Sequence, residues 1–326
     1  MTSGIVRTLV NLVPPAQASS SKDCESNNID RFLVRIKLIL TKESKQIMNT
    51  ASSRTEAERE REFLANYDPH QYAPVAVTVD VAAFTIREGT LSVLLVQRAA
   101  PPYANAWCLP GGFLSPDQSG RFPDLASAAA MRLAKETGLT SEVAGADDRL
   151  ARVHLEQLAS YGTPRRDPRM HVISVAYVAL APDLPEPVAG EGTLAARWLP
   201  VEEAASLTLA FDHNQILADA LERARGKLEY TSLATAFLPK EFTISQLRKV
   251  YEIVWGEDLT PSVFRRKVHA TAGFVLATGQ HTAHGGAGGG PRAVLYRAGG
   301  QALLHPAIER EATTVRRLGI DEAVSS

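Results

Sequence analysis

Between residues 75 and 200 the apolar residues come in short runs broken by turn formers. Beyond residue 210 they change to the three- and four-residue spacing of helices. The first regime predicts strands over residues 75–84, 91–97, 153–158, 172–180 and 195–199. Ile86-Arg87-Glu88-Gly89-Thr90 reads as a turn, and Pro182, Pro185, Pro187 and Gly190 mark a surface loop. One helix interrupts this regime over residues 124–137, with Asp124 as its N-cap and Gly138 as its stop. Mixed strands around helices give an α/β (α+β) sandwich.

The second regime opens with a helix over residues 211–230. Ile216, Leu217, Ala220, Leu221 and Ala224 form its apolar stripe, and it bridges into a second domain. There Thr243-Ile244-Ser245-Gln246 is a capping box, followed by the stripe Ile244, Leu247, Tyr251 and Val254. After a tight connection at residues 256–259, Thr260 offers another N-cap and Pro261 takes the first helical position, where its missing N–H costs nothing. Phe264 and Val268 share the inner face of this helix; Ser262, Arg265, Arg266 and His269 point elsewhere. Strands at residues 274–277 and 293–296 flank a loop at 279–290 rich in glycine and histidine. Two helices, a turn, then strand–loop–strand is the outline of a winged helix-turn-helix domain.

Charge sharpens that outline. The whole chain carries a formal net charge of −1, which excludes a uniformly basic nucleic-acid coat but not a local basic surface. Residues 240–300 hold eight basic and four acidic residues, the excess expected of a face that meets phosphates. Arg265-Arg266-Lys267 alone would read as a solvated helix face. Cap, turn, cationic helix and Arg292 on the hairpin, in that order, favour DNA. His281 and His284 sit in the glycine-rich loop without a nearby Cys or carboxylate and read as a mobile tip rather than a zinc pair.

Residues 1–71 form an N-terminal extension that is expected to be partly disordered. Its first 47 residues are rich in Ser, Asn, Lys and Ile and precede Met48, so they read as an extension or an upstream start; residues 29–42 also fit a basic amphipathic segment. Residues 51–66 read as a short solvated helix. Cys24 and Cys108 form no metal or redox motif and fit a reduced cytoplasm. No apolar run has the length of a membrane span.

The chemistry lies in Leu109-Pro110-Gly111-Gly112-Phe113 and in the helix ending Ala129-Ala130-Met131-Arg132-Leu133-Ala134-Lys135-Glu136-Thr137-Gly138-Leu139. Together they resemble the Nudix box of Mg²⁺-dependent hydrolases of nucleoside diphosphates. The resemblance covers residues 72–210 and implies an α/β/α sandwich. Aligned from Gly138, the three acidic positions of that box hold Arg132, Lys135 and Glu136, and its arginine position holds Met131. Counted from Gly112, the upstream glutamate position holds Gln118, and residues 120–124 lengthen the loop. Three carboxylates on one helix face would hold Mg²⁺ through hard oxygen ligands; here that face carries two cations and one acid. The expectation is no metal, no catalytic residue and no required cofactor. Arg132 and Lys135 either replace the metal's positive charge at a pyrophosphate or are surface cations in local ion pairs.

Both halves together resemble the Nudix-related transcriptional regulators (NrtR), homodimeric repressors with a Nudix-like effector domain and a C-terminal winged helix. The motifs are Phe63-Leu64-Ala65-Asn66-Tyr67-Asp68-Pro69, Val77-Thr78-Val79-Asp80, Asp167-Pro168-Arg169 leading into Val172-Ile173-Ser174-Val175-Ala176-Tyr177, Phe211-Asp212-His213, Gly226-Lys227-Leu228-Glu229-Tyr230-Thr231 and Phe264-Arg265-Arg266-Lys267. The family often has Asn where Val263 stands. The resemblance implies a nucleotide effector, ADP-ribose or a relative, that releases a near-palindromic double-stranded operator in genes of NAD metabolism. Candidate effector contacts are Arg98, Trp107, Leu109, Gly111, Gly112, Arg132 and Glu136. Candidate DNA contacts are Ser262, Arg265, Arg266, Lys267, His269 and Arg292. The expected division is a Nudix-like effector domain over 72–210, a linking helix over 211–230 and a winged-helix domain with its tail over 231–326. The competing reading is an active ADP-ribose or nucleotide-sugar pyrophosphatase that uses Glu136 with Asp124 or Glu156.

Overall fold

The computed structural model describes residues 55–137, 154–182, 184–190, 192–285 and 291–310; the side chains of Glu136, Thr137 and Gly285 are outside this set. Residues 1–47, Gly138, residues 286–290 of the expected glycine-rich loop and the residues beyond Arg310 likewise lie outside the described residues. Two compact units result, residues 1–73 and 74–326.

In the first unit, α1 (Glu56–Asn66) starts at a capping box between Thr55 and Glu58 and buries no residue. Its alternating charges and lack of any buried residue are those expected of a solvated helix. Asp68 then caps a single 3-10 turn at Pro69–Gln71.

The second unit is built on a seven-stranded mixed sheet. Its strands are β1 (Ala76–Arg87), β2 (Thr90–Arg98), β3 (Trp107–Cys108), β4 (Gly111–Phe113), β5 (His154–Tyr161), β6 (Val172–Leu180) and β7 (Thr193–Pro200). The path is β3-β2-β1-β6-β5, with β4 added to β1 and β7 to β2. β1 and β6 run parallel; the other pairs are antiparallel.

Alternation along β1 assigns the two faces. Val79, Val81 and Ala83 join Ala128, Ala129 and Leu133 of α2 (Leu125–Thr137). Ala82 and Phe84 join Ile216, Leu217 and Ala220 of α4 (His213–Tyr230) in the main core. A short helix, α3 (Val201–Ser206), precedes α4. The sheet is thus covered on both faces, an α/β/α sandwich. Asp124 accepts from the Ser127 amide at 2.9 Å, the cap expected of α2.

The helix expected from residue 211 starts two residues later. Phe211 adopts a left-handed φ of 58°, and Asp212 stands at the N-cap without a side-chain cap bond, because its carboxylate binds Arg166. Helix α4 is held to β5 as well: Tyr161 donates to Asp219 at 2.8 Å and Lys227 pairs with Glu156 at 2.6 Å.

A 3-10 turn at Ser232–Phe237 leads into the winged helix: α5 (Ile244–Trp255), α6 (Pro261–Ala270), β8 (Val275–Gly285) and β9 (Arg292–Ala298). Both bonds of the Thr243–Gln246 capping box form, and Gly256 ends α5 in the left-handed conformation. Thr260 occupies the N-cap of α6 without a side-chain bond. Tyr251 and Phe264 meet edge-to-face at 5.1 Å and fix α6 on α5.

The hairpin strands run further than the sequence suggests. His281 pairs with Val294 inside β8, so the histidines expected at a mobile tip stand in a strand. Gly279, at φ 78°, absorbs a register shift between Ala277 and His281, and the Thr282 hydroxyl accepts from the Ala293 amide to carry the ladder on.

Candidate functional site

Two sites emerge, one in the sandwich and one on the winged helix. The first is a cavity of about 110 Å³ where β1, β4 and the residues after β5 meet the start of α4. Arg98, Leu109, Gly111 and Gly112 line it, as do Thr78, Asp80, Cys108, Phe113, Arg166, Asp167, Arg169, Phe211 and His213. Of the residues expected from sequence, Trp107 and Arg132 are not in its wall, and the side chain of Glu136 is outside the described residues.

Asp80 lies on the α4 face of β1, where that strand leaves the core. It accepts from the hydroxyls of Thr78 and Ser174 and is buried. Gly111 pairs with it across the β1–β4 ladder. A Cβ on Gly111 would fall 2.0 Å from the Asp80 carboxylate and 2.6 Å from the Val79 carbonyl, so no side chain fits there. On Gly112 a Cβ would meet the Arg132 guanidinium at 3.0 Å, and Arg132 donates to the Phe113 carbonyl. Helix α2 therefore presents a cation to β4. A divalent ion does not fit beside that guanidinium, and no cluster of three potential metal ligands occurs among the described residues.

The acids considered as substitute ligands are engaged elsewhere. Asp124 caps α2, and Glu156 is held by Lys227, Arg223 and His154. Burial tends to raise the Glu156 pKa, but the Lys227 ammonium outweighs it and the carboxyl stays below its usual range.

The cavity's cations are organised by acids and rings. Arg166, nearly fully buried, grips Asp212 with two bonds, Nε at 2.8 Å and Nη2 at 2.5 Å. Burial opposes its charge, and Asp212 more than restores it. Arg169 pairs with Asp167 at 2.6 Å; there too burial of the acid is outweighed, and Asp167 stays below its usual range. The Arg169 guanidinium lies 4.7 Å from the Phe113 ring centre and 5.9 Å from that of Phe211; Arg98 lies 5.0 Å from Phe211. Two aromatic faces backed by guanidiniums suit a flat base and a diphosphate.

His213 completes the wall from the first turn of α4. Its Nδ1 accepts from the Leu109 amide at 3.0 Å, which fixes the tautomer with the proton on Nε2, 3.7 Å from Asp80. Burial pushes its pKa down; the Asp80 carboxylate opposes this without overcoming it. His213 is neutral in the folded protein.

The sequence-based candidate list omitted Asp80, Arg166, Arg169, Phe211 and His213, although all but Arg166 stood in the quoted family motifs. A buried Arg reads as an ordinary loop cation in Tyr161-Gly162-Thr163-Pro164-Arg165-Arg166; nothing local reveals that Asp212 will reach it.

The second site is an open groove of about 560 Å³ between the starts of α5 and α6 and the β9 strand. Ser262, Arg265 and Arg292 line it, together with Thr243, Ser245 and Arg248. Arg265, Arg266 and Arg292 are exposed and make no ion pair among the described residues. Phe264 and Val268 are buried beneath them. Lys267 turns the other way and donates to the Glu309 carbonyl at 2.6 Å, while His269 leans on the Tyr296 ring at 5.9 Å. Val263 is half-buried.

Comparison with known proteins matches these two sites to two domains. A family model of the NUDIX domain matches residues 76–220, and one of the NrtR DNA-binding winged helix domain matches residues 234–298. The ADPR responsive transcriptional repressor NtrR of Acinetobacter baylyi is 35% identical over 229 residues, 70% of this chain and 86% of that protein. The ADP-ribose pyrophosphatase of Methanocaldococcus jannaschii is 30% identical over 157 residues, 48% of this chain and 78% of that protein. The crystal structure of Shewanella oneidensis NrtR complexed with a 27mer DNA aligns with a TM-score of 0.51 at 29% identity, covering 68% of this chain and 93% of that one. Matched over both of its domains, the chain belongs to the NrtR family of Nudix-related transcriptional regulators.

Proposed function

We propose that this chain is a ligand-gated transcriptional repressor whose Nudix-like domain, residues 72–210, senses ADP-ribose or a close relative without cutting it. The observation that carries this is the joining, in one chain, of a cavity lined by arginines and aromatic rings to an exposed basic helix and wing. The name of the Acinetobacter relative, an ADPR responsive repressor, supports the choice of effector. Phe113 and Phe211 offer stacking faces for the base; Arg98, Arg166 and Arg169 attract the diphosphate; Gly111 and Gly112 let backbone approach it. Arg132 supplies positive charge at the box helix in place of a metal, so no water is activated and the ligand stays whole. No cofactor is required.

On DNA, Ser262, Arg265, Arg266 and Arg292 meet the duplex. Arg265 and Arg266 reach guanine edges or phosphates. A homodimer places two copies of α6 in successive major grooves about 34 Å apart, on a near-palindromic operator in genes of NAD metabolism. Helix α4, within residues 211–230, links the sensor to the winged helix of residues 231–326. Because a ligand shifts an equilibrium only through unequal affinity for its two states, ADP-ribose must favour a geometry that misplaces α6. The protein acts in the cytoplasm; among the described residues no helix is long and apolar enough to cross a membrane.

The test is a DNA-shift titration of promoter fragments from NAD-biosynthesis genes with and without ADP-ribose. A shift that ADP-ribose reverses is expected; no shift of any fragment would overturn the proposal. A second reading, an ADP-ribose pyrophosphatase, is favoured by the Methanocaldococcus relative. Release of AMP and ribose phosphate by the purified protein with Mg²⁺ would establish it.

A further inference from the structure

Beyond β9 the chain turns back and packs along the end of α4. The Ser232 amide donates to the Ala302 carbonyl, the Leu304 amide to Tyr230 at 2.9 Å, and the Ile308 amide to Glu229 at 2.8 Å. Ile308 is fully buried. Arg310 then bridges two acids of α4, Glu229 at 2.6 Å and Glu222 at 3.2 Å. These acids are seven residues apart and so share one face of the helix.

The same segment also holds α6. Thr271, just after that helix, donates its hydroxyl to the Pro306 carbonyl at 2.8 Å, and Lys267 donates to Glu309 at 2.6 Å. Lys267 directly follows Arg265 and Arg266. Residues 302–310 therefore touch α4 and the end of the basic helix at once. They lie outside the winged-helix region matched by the family model, which stops at residue 298.

At its other end α4 is part of the cavity. Phe211 and His213 line it, and Asp212 holds Arg166. The helix has 18 residues, so it spans about 27 Å from the cavity to the segment at its far end. Winged-helix packing also rests on α4, through Tyr251 donating to the Leu228 carbonyl and Trp255 to that of Arg225. Those bonds position α5. The C-terminal segment reaches α6 itself.

We propose that residues 302–310 are a coupling strap that fixes α6 to α4, so that a ligand filling the cavity at the first turn of α4 is reported at the DNA face. The inference rests on the reading of this chain as an ADP-ribose-gated DNA binder. Helix α6 has its own anchors in Phe264 and Val268, so loosening the strap leaves a competent DNA-binding helix but disconnects it from the sensor.

The full chain is tested with Arg310→Glu and Arg310→Ala, neither of which alters a residue assigned to ligand or DNA. DNA affinity is measured with and without ADP-ribose, and ADP-ribose affinity with and without DNA. In the unaltered protein the two affinities must change by the same factor, on the order of 5–150-fold for coupled sites of this kind. In Arg310→Glu that factor is expected to fall to about twofold or less. Each ligand bound alone keeps its affinity within about threefold, well inside that range. A segment that merely stabilises the fold would lower the melting temperature and leave the factor intact. Retention of the full factor in both variants would overturn the strap. If Arg310→Glu does not melt cooperatively, Arg310→Ala alone decides in the same way. An unaltered protein that fails to bind ADP-ribose or DNA would overturn the functional reading, and the strap with it, before any variant is made.

Discussion

The arginines of the cavity and those of the groove carry the same charge and are held in opposite ways. Arg166 and Arg169 are locked by Asp212 and Asp167, and Arg169 is also flanked by two phenylalanine rings. Arg265, Arg266 and Arg292 stand in solvent without an acidic partner among the described residues. A locked guanidinium has lost its rotamer entropy during folding and meets a small ligand in one geometry. A free one attracts a polyanion from a distance and adapts to it, and its attraction is open to screening by salt. One region is built for selecting a shape, the other for counting phosphates.

Salt separates the regions most sharply. If Arg265, Arg266 and Arg292 of two protomers neutralise six phosphates, DNA affinity should fall about a thousandfold between roughly 50 and 200 mM salt. ADP-ribose affinity, measured by calorimetry over the same range, should change by less than about tenfold, because Arg166 and Arg169 are already paired with their own acids. A flat response for DNA would remove the assignment of the groove.

Arg166→Ala breaks the comparison from the other side. It strands Asp212 in a part-buried position beside Asp80 and Asp167. Removing one partner of a buried pair typically costs about 3–5 kcal/mol, and urea unfolding should register a loss of that size along with failure to bind ADP-ribose. The matching change in the groove, Arg265→Ala, should leave stability within about 0.5 kcal/mol, as is usual at exposed positions. Equal losses in the two variants would mean that the arginines are not held differently after all.

This division explains what could be read before the fold was known. The groove was legible: capping box, proline at the first turn, buried Phe264 and Val268 and the cations between them are all local signals, and α6 falls where they place it. The sandwich strands were legible too, since apolar runs are local. The cavity was not. Its wall joins Asp80, Arg166 and His213 across more than a hundred residues, and a buried ion pair has the same local sequence as a solvated one. The strands β3 and β4 are too short to give a period, and the wing ran past its expected ends because the Thr282 hydroxyl supplies a ladder bond in a glycine-rich segment. Family motifs flagged Phe211-Asp212-His213, yet the role of those residues follows from the turn of the chain at Phe211, which no spacing rule indicates.

Arg132→Glu probes the border between the two manners of holding charge, since Arg132 is half-buried and bound to a carbonyl rather than an acid. Reversing it should weaken ADP-ribose binding about tenfold, the worth of roughly 1.4 kcal/mol. Unchanged affinity would make Arg132 a structural bond to β4 and leave the diphosphate to Arg98, Arg166 and Arg169.

The smallest effect concerns His213, which contributes to the cavity by staying uncharged. Its folded pKa is depressed, chiefly by burial, so the unfolded chain takes up a proton below about pH 6.5 that the folded chain refuses. Stability must then fall as pH drops through that value, before most carboxylates titrate. Protonating the folded imidazole takes a lower pH than the unfolded chain requires; it would end acceptance of the Leu109 amide by Nδ1 and cost the turn that carries Gly111 and Gly112 its anchor. ADP-ribose affinity should therefore hold while stability falls and weaken only at the lower pH that protonates the folded imidazole, and DNA affinity should follow neither change. In His213→Gln the side-chain carbonyl can still accept the Leu109 amide but cannot titrate, so the dip in stability should shrink by His213's share while the cavity stays formed. A dip of unchanged depth in His213→Gln would assign it to other histidines and leave neutral His213 as a packing residue.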